Sequence, residues 1–250
     1  MRLPPELLDE IIGYMPTWYL LHSCSLVARQ WTHFCQKRLF RVVTIHPRNL
    51  QKWLDKISPA NVELLGYVRV LSYVEHLAFP MTIIGPAHLT LREYFPSFCQ
   101  LKHFLMASPH ISSSPQHLEL FSSFQHSLSD ISLVGCNATK SAFVTLINYF
   151  PNLIRLQLRH INYQEEEEPT PPLSRLHFKK LCVAEWSADS LNLINELSKL
   201  GLHFDEVVIS ESVFPGSTWS EFAMRVVDVF GASTKCLRLL DTPRGVYGHS

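Results

Sequence analysis

Two histidine and cysteine pairs near the start of the chain carry side chains that could bind a metal ion. They are His22-x-Cys24 and His33-x-Cys35, and the second pair follows the first by eleven residues. Zinc accepts imidazole and thiolate ligands, and eleven residues make about three turns of one continuous helix. Within each pair, residues two apart on a helix point to different sides and cannot converge on one tetrahedral ion. The pattern therefore favours cysteines buried as small apolar side chains, and no metal or other cofactor is predicted.

Local motifs of catalysis are missing from the sequence. It contains no G-x-x-x-x-G-K-[ST] phosphate loop, no G-x-S-x-G nucleophile turn and no H-E-x-x-H zinc motif. The histidines and cysteines form no local pattern typical of a nucleophile with its base. We therefore predict that the protein is not an enzyme.

Composition and charge indicate a folded, electrically balanced chain. Of the 250 residues, 46% are hydrophobic and 18% are charged, with 22 Lys and Arg against 22 Asp and Glu. This predicts a folded core throughout and no overall attraction for nucleic acid or an anionic membrane. The six cysteines are irregularly spaced, no signal-peptide pattern is present, and no apolar run reaches the roughly 20 residues that span a bilayer. We expect a soluble protein of the cytoplasm or the nucleus.

The elements that position the histidine and cysteine pairs are short helices. Leu3-Pro4-Pro5-Glu6 is typical of a helix start, and apolar residues at helical spacing follow it until Pro16. Thr17 can cap a second helix, and a third helix is predicted from Leu26 to Leu39. A three-helix unit of residues 1–40 is too small to enclose all its apolar side chains. Some of them should therefore remain available to a partner.

This helical unit resembles the F-box. The segments that carry the resemblance are LPPELLDEII and, after a short loop, LLHSCSLVARQW. The F-box pattern is Leu-Pro-x-Glu, then an Ile, then a later Val-x-Arg-x-Trp, and the matching positions are Leu3, Pro4, Glu6, Leu7, Ile11, Val27, Arg29 and Trp31. The resemblance implies docking onto the Skp adaptor of SCF-type (Skp, cullin and F-box protein) ubiquitin ligases. The adaptor-binding residues that it implies are Leu3, Pro4, Leu7, Ile11, Leu20, Val27 and Trp31.

An alternative for the same residues is a helical cap on the domain that follows. Small apolar helical units do close the ends of repeat proteins. In a cap the same side chains would be packed inward, whereas adaptor binding needs them on the surface. The two interpretations are therefore distinguished by whether five side chains are exposed, namely Leu3, Pro4, Ile11, Val27 and Trp31.

A recurring pattern of apolar residues fills the rest of the chain. Residues 41–66 are predicted to be a linker, with a strand in LFRVVTIHP and an amphipathic helix in NLQKWLDKI. Over residues 67–250 the template apolar-x-x-apolar-x-apolar recurs at intervals of 20 to 33 residues. Its occurrences begin at Val68, Leu101, Leu128, Leu153, Leu173, Phe204 and Thr234. Helical segments lie between the strand-like templates, such as AFVTLINYF and SLNLINELSKLG, and Gly201 predicts the end of the second.

A repeated strand and helix of this length resembles a leucine-rich-repeat array. The predicted fold class is therefore α/β, with an N-terminal three-helix F-box-like unit followed by an irregular right-handed leucine-rich-repeat solenoid. A doubly wound α/β sheet is the alternative. It would need longer β-branched strands and a Gly-rich phosphate turn, and the sequence has neither.

The polar positions of two neighbouring templates predict a basic surface. Within each template the apolar residues point into the fold, and the residues between them alternate onto the opposite sheet face. The residues at these positions are Arg155, Gln157 and Arg159 on one strand and Arg175, His177 and Lys179 on the next. Guanidinium groups match carboxylate and phosphate oxygens, so this face is predicted to bind an acidic or phosphorylated target. The alternatives are a solvated face, or neutralisation by Glu165 to Glu168 in the intervening loop.

These observations together predict a substrate-recognition subunit of an SCF-type ubiquitin ligase. The helical unit would bind the Skp adaptor and, through it, the cullin, while the repeats would bind a target protein. The alternative is a leucine-rich-repeat scaffold for protein interaction, with its first helices serving as a cap.

Overall fold

A computed structural model of the chain describes residues 4–15, 17–57, 59–74, 94–107, 118–119, 121–164, 172–173, 177–184, 188–210, 218–231 and 234–240. Three helices come first in the chain: α1 (Pro5–Gly13), α2 (Trp18–Val27) and α3 (Arg29–Leu39). As the sequence predicts, α1 has proline in its first turn together with Glu6, whose charge complements the helix dipole. Among the described residues, no helix is long and apolar enough to cross a lipid bilayer.

The boundary between α2 and α3 differs from the prediction. The third helix was expected to begin at Leu26, but α2 continues to Val27 and Ala28 is extended, with φ of −148° and ψ of 135°. Across this break the Thr32 hydroxyl donates a hydrogen bond to the carbonyl of Ser25 at 2.9 Å. The break lets α3 pack against α2. No proline or glycine marks it, so the sequence pattern could not locate it.

Eight parallel strands form one sheet in strict chain order. They are β1 (Val42–Ile45), β2 (Val70–Val74), β3 (His103–Ala107), β4 (Asp130–Val134), β6 (Arg155–Arg159), β8 (His177–Ala184), β9 (His203–Ser210) and β10 (Cys236–Leu240). A second small sheet pairs β5 (Asn137–Thr139) with β7 (Asn162–Gln164). Each strand of the main sheet pairs with the next along the chain, unlike a doubly wound sheet, whose strand order reverses.

Helices and 3₁₀ turns connect the strands. The helices are α4 (Pro47–Lys56), α5 (Lys140–Tyr149), α6 (Ala188–Lys199) and α7 (Thr218–Phe230). The 3₁₀ turns are Pro59–Tyr67, Phe95–Ser97 and Ser122–Phe124. The strand and the helix predicted within residues 41–66 correspond to β1 and α4. Since β1 pairs with β2, this segment already contributes the first strand of the sheet rather than linking to it.

One hydrogen-bond arrangement recurs where the strands begin. Two consecutive backbone amides donate to the carbonyl of the residue just before the preceding strand, as Arg69 and Val70 do to the carbonyl of Arg41, at 2.9 and 3.0 Å. The carbonyls that accept two amides in this way are those of Arg41, Arg69, Lys102, Ser129 and Ile154. The strands therefore start in register, each held by the one before it.

The inward positions of successive strands form buried columns. The first column consists of Val68, Leu101, Leu128, Leu153, Phe178 and Phe204, each at most 1% exposed. Five of these are predicted template starts, but Leu173 is replaced by Phe178. The template fits FKKLCV better than LSRLHF, because β8 continues to Ala184 and buries Phe178, Leu181 and Val183. With this correction the irregular intervals on either side become 25 and 26 residues.

The end of α6 follows the predicted glycine signal. Gly201 has a φ of 75°, the left-handed conformation in which glycine is least strained. Its amide donates to the carbonyl of Ser198 at 2.8 Å, and the Leu202 amide donates to that of Leu197 at 3.3 Å. These two bonds close a Schellman motif, and they direct the chain into β9.

Candidate adaptor and target surfaces

Exposed apolar side chains are concentrated on the first two helices. Twelve large hydrophobic residues are exposed among the residues that the structure describes, and eight of them lie between residues 7 and 27. These eight are Leu7, Ile11, Tyr14, Trp18, Tyr19, Leu20, Leu26 and Val27. An apolar surface this concentrated is typical of a protein interface.

Helix α1 divides its apolar residues between two faces. Leu8 and Ile12 are buried, whereas Leu7 is 46% and Ile11 is 41% exposed. Each pair is separated by four residues, so its members lie one turn apart on the same side of the helix. One face therefore packs into the protein while the other presents apolar surface to solvent.

The inward faces of the three helices meet in a small core of their own. Ile12, Leu21 and Cys35 are its buried members. The side chains packed around them are Met15, Cys24, Trp31, Phe34 and Leu39. Since this cluster is separate from the core beneath the sheet, the helical unit packs around its own centre. Leu7 and Ile11, on the outer face of α1, are not part of this core.

The histidine and cysteine pairs are divided between this core and the surface. Burial raises the pKa of the Cys35 thiol, and the neighbouring Cys24 raises it further. His22 and His33 are exposed, and the His33 Nδ1 lies 2.9 Å from the hydroxyl of Tyr67. Within the described parts of the chain, no three His, Cys, Asp or Glu side chains are placed to hold a metal ion together.

Most of the predicted adaptor-binding residues lie on the surface. Pro4, Leu7, Ile11, Leu20 and Val27 are all exposed. Trp31 is half-buried against the small core, and Leu3 lies outside the described residues. The exposure of Pro4, Ile11 and Val27 is what adaptor binding requires, and the half-buried Trp31 is the exception among the described residues.

The predicted basic surface is arranged differently from the expectation. In the observed register, Arg155 pairs with Lys180 and Gln157 with Cys182, while His177 lies opposite His203. Lys179 and Lys180 both donate their amides to the carbonyl of Ile154, which sets this alignment. The predicted juxtaposition of Gln157 and Arg159 with His177 and Lys179 is therefore wrong in register, because Gln157 and Arg159 lie opposite Cys182 and Ala184. Arg175 and the loop of Glu165 to Glu168 lie outside the described residues.

Carboxylates on neighbouring strands neutralise much of this face. The Arg155 guanidinium lies 3.2 Å from a carboxylate oxygen of Asp130. Further along, the carboxylate of Glu206 lies between Lys180 and Arg238, at 3.2 and 3.1 Å. Asp205 is paired with Lys235 at 2.9 Å and with His177 at 3.2 Å. The face is thus a series of ion pairs across strands rather than one basic patch.

The acidic partners could have been found in the sequence. Asp130 lies in the LSDISL template, and Asp205 and Glu206 lie in FDEVVI. The predicted basic positions belong to only two strands, whereas every strand of a parallel sheet contributes side chains to the same face. Sequence alone could not show which cation each carboxylate would contact, because that depends on the register.

A histidine, a serine and a glutamine form a polar row across three strands. The His103 Nε2 lies 2.8 Å from the Ser132 hydroxyl, which donates to the Gln157 Oε1 at 3.1 Å. Because the hydroxyl has one hydrogen, it accepts from the His103 ring rather than donating to it. A catalytic serine donates its proton to the histidine. The hydrogen bond between Ser132 and His103 runs in the opposite direction. It satisfies the hydroxyl of Ser132, which is 2% exposed.

The position of His103 predicts a pH dependence of stability. Burial lowers the pKa of His103, the charge of Asp130 opposes this, and Arg155 lowers it further. Above the ordinary histidine pKa of about 6.5, the His103 ring is neutral in both the folded and the unfolded protein. As the pH falls, the ring takes up a proton more readily in the unfolded chain, so protonation favours unfolding. The His103→Gln variant should therefore lose less thermal stability than wild type between about pH 7.5 and about pH 5.5. An equal loss in both proteins would contradict this, and His22→Gln, at an exposed position, is the control.

Comparison with known proteins identifies the first part of the chain. Residues 1–42 match the F-box domain. The match covers the three helices, which we call the F-box region from here on. No curated protein matches the chain.

The F-box match indicates a general role. F-box domains bind the Skp adaptor in SCF complexes. An F-box domain thus suggests substrate recognition by an SCF-type ubiquitin ligase in general. F-box proteins are usually adaptors rather than enzymes.

Proposed function

We propose that this protein is the substrate-recognition subunit of an SCF-type ubiquitin ligase, acting in the cytoplasm or the nucleus. The F-box region binds the Skp adaptor, and the sheet that follows binds the target. The observation that carries this proposal is the concentration of exposed apolar side chains on α1 and α2. Adaptor binding would cover these side chains, which otherwise remain in contact with water.

The adaptor-facing surface in this proposal combines residues from all three helices. Pro4, Leu7 and Ile11 come from the start and the outer face of α1, and Leu20 and Val27 come from α2. Trp31 supplies a half-buried aromatic side chain from α3. A few anchor residues carry most of the binding energy of protein interfaces, and tryptophan is among the commonest of them.

The sheet region is best interpreted as a leucine-rich-repeat-like solenoid. Three observations support this: the strands follow chain order, the hydrogen bonds at the strand starts recur, and the buried columns repeat every 25 to 33 residues. In such an array each repeat contacts only its neighbours, which leaves one long face open to a ligand.

We place the target on the polar face of this sheet. The ion pairs of Asp130 with Arg155 and of Glu206 with Lys180 give that face alternating charge. A target that binds there would be recognised by a matching alternation of charge. Charge complementarity of this kind contributes more to specificity and association rate than to affinity.

The mechanism of such a subunit is proximity. The protein itself performs no chemistry in this proposal. The adaptor connects the F-box region to the cullin, and the target is held on the same chain. The target's lysines are thereby kept at a high effective concentration near the ubiquitin-conjugating enzyme.

Co-expression with the Skp adaptor tests this function. We expect an equimolar complex on size-exclusion chromatography, which then captures the cullin. Without the adaptor, the chain alone should capture no cullin, and this is the matched control. A monodisperse chain that forms no complex would instead support a repeat scaffold capped by its first helices.

A further inference from the structure

A cavity lined by cations lies where the F-box region meets the sheet. Its volume is about 350 Å³, within the range of small-ligand sites. The residues that line it are Asp9, Lys37, Arg38, Arg41, Tyr67, Arg69, Val70 and Lys102. Five of these eight side chains are lysine or arginine, in a chain whose formal net charge is zero. We call this space the cation cavity.

The repeat geometry brings three of these cations together. Arg41, Arg69 and Lys102 each immediately precede a strand, namely β1, β2 and β3. The amide of Arg69 donates to the carbonyl of Arg41, and that of Lys102 to the carbonyl of Arg69, at 2.9 and 2.8 Å. Neighbouring strands are about 4.8 Å apart. Three positively charged residues therefore lie in a close row at the amino-terminal ends of β1, β2 and β3.

The other two cations come from the last turn of α3. Lys37 lies 3.7 Å from the carboxylate of Asp9, which partly neutralises it. Arg38 donates a hydrogen bond to the carbonyl of Gly13 at 2.7 Å, and it also lines an adjoining cavity with Glu6, Asp9 and Glu10. The acidic side chains thus lie towards α1, on the F-box side of the cation cavity.

On the sheet side, the hydrogen-bond partners of Arg69 are neutral. Arg69 donates to the carbonyls of Gly66 and Gln100 at 3.3 and 3.2 Å and to the Gln100 side-chain oxygen. These acceptors hold the guanidinium in place but do not compensate its charge. Among the described residues that line the cation cavity, Asp9 is the one carboxylate.

The far end of the sheet provides a contrast. There Asp205 pairs with both Lys235 and His177, and its carbonyl accepts a hydrogen bond from the Lys235 amide at 3.0 Å. Among the residues that the structure describes, no acidic side chain pairs with Arg41, Arg69 or Lys102 in this way. Within the described parts of the chain, carboxylates of the sheet thus neutralise the cations at its far end, whereas at the cavity the single carboxylate is Asp9 of α1.

We propose that the cation cavity binds a phosphate group. A phosphate carries up to two negative charges and several oxygens, and arginine forks with lysine ammonium groups are the usual partners of such an anion. A single carboxylate would leave most of the positive charge unmatched. The bound anion would contact α3 and three strand starts at once, so it would join the F-box region to the sheet. This inference does not depend on the proposed function.

Calorimetry with two phosphate probes tests the site. The full chain is titrated with inorganic pyrophosphate and with a glycine-flanked phosphoserine pentapeptide, the unphosphorylated peptide serving as reference. We expect saturable binding of at least one phosphate probe, weakened about tenfold or more in an Arg41→Gln, Lys102→Gln double variant. Pyrophosphate alone would indicate a free phosphorylated molecule, and the peptide would indicate a phosphorylated protein.

An equal change of charge elsewhere is the matched control. The Arg48→Gln, Lys52→Gln double variant removes two exposed cations of α4, and it should bind the probes as wild type does. Absence of saturable binding to wild type would overturn the proposal, and so would equal weakening in both double variants, which would mean attraction by overall charge. Adaptor binding, measured in parallel, should be unchanged in both. A loss of adaptor binding would therefore concern the proposed function and not the cavity.

Discussion

Replacing Ile11 and Val27 by serine is expected to abolish binding to the Skp adaptor while leaving the fold intact. Ile11 is 41% and Val27 is 76% exposed, so their removal leaves no cavity in the small core of the F-box region. If both are anchors of the interface, each truncation costs about 2 kcal/mol, or about a 30-fold loss of affinity. The double variant should therefore show no complex on size-exclusion chromatography at micromolar concentration.

The matched control changes exposed apolar residues outside the F-box region. Met224 and Val227 on α7 are 64% and 38% exposed, and the Met224→Ser, Val227→Ser variant should bind the adaptor as wild type does. Circular dichroism should show the helical content of all three proteins to be the same. If the Ile11→Ser, Val27→Ser variant binds the adaptor as tightly as wild type, these two residues are not part of the interface.

Replacing Phe124 by alanine is expected to be among the most destabilising single changes in this chain. Phe124 is fully buried, and its ring centroid lies 5.7 to 6.3 Å from those of four other phenylalanines. These are Phe95, Phe104, Phe121 and Phe150. Removing a buried phenylalanine ring costs about 3–5 kcal/mol, because apolar contacts are lost and a cavity remains. The midpoint of urea unfolding should fall accordingly.

An exposed aromatic residue provides the comparison for this measurement. Tyr14 is 80% exposed, so Tyr14→Ala should change the free energy of unfolding by less than about 0.5 kcal/mol. If Phe124→Ala costs less than about 1 kcal/mol, the aromatic cluster is not tightly packed. In that case the beginning of the sheet would derive its stability from the aliphatic columns instead.

The consequences of these two variants should be separable. The Phe124 cluster belongs to the main core beneath the sheet, and Ile12 and Cys35 belong to the small core of the F-box region. The Phe124→Ala protein should lose the structure of the sheet at lower denaturant concentration, while adaptor binding in native buffer is retained. The Ile11→Ser, Val27→Ser variant should instead lose adaptor binding and unfold at the same denaturant concentration as wild type.

Short-range patterns in the sequence determined the elements and their buried faces. Proline in the first turn and apolar residues at helical spacing predicted α1, and the glycine signal predicted the end of α6. The apolar template located most of the strand starts, because alternation along a strand decides which side chains point inward. The F-box motif likewise depends on residues within one short segment, and residues 1–42 match that domain.

Contacts between distant residues decided the rest, and only the tertiary structure contains them. The break at Ala28 depends on the packing of α3 against α2, and the register of β8 depends on hydrogen bonds to Ile154, about 25 residues earlier. The registers of other strand pairs place Arg155 beside Asp130 and Lys180 beside Glu206, and they gather Arg41, Arg69 and Lys102 at one cavity. The sequence determines which side chains are charged, but inter-strand hydrogen bonds determine which charges meet.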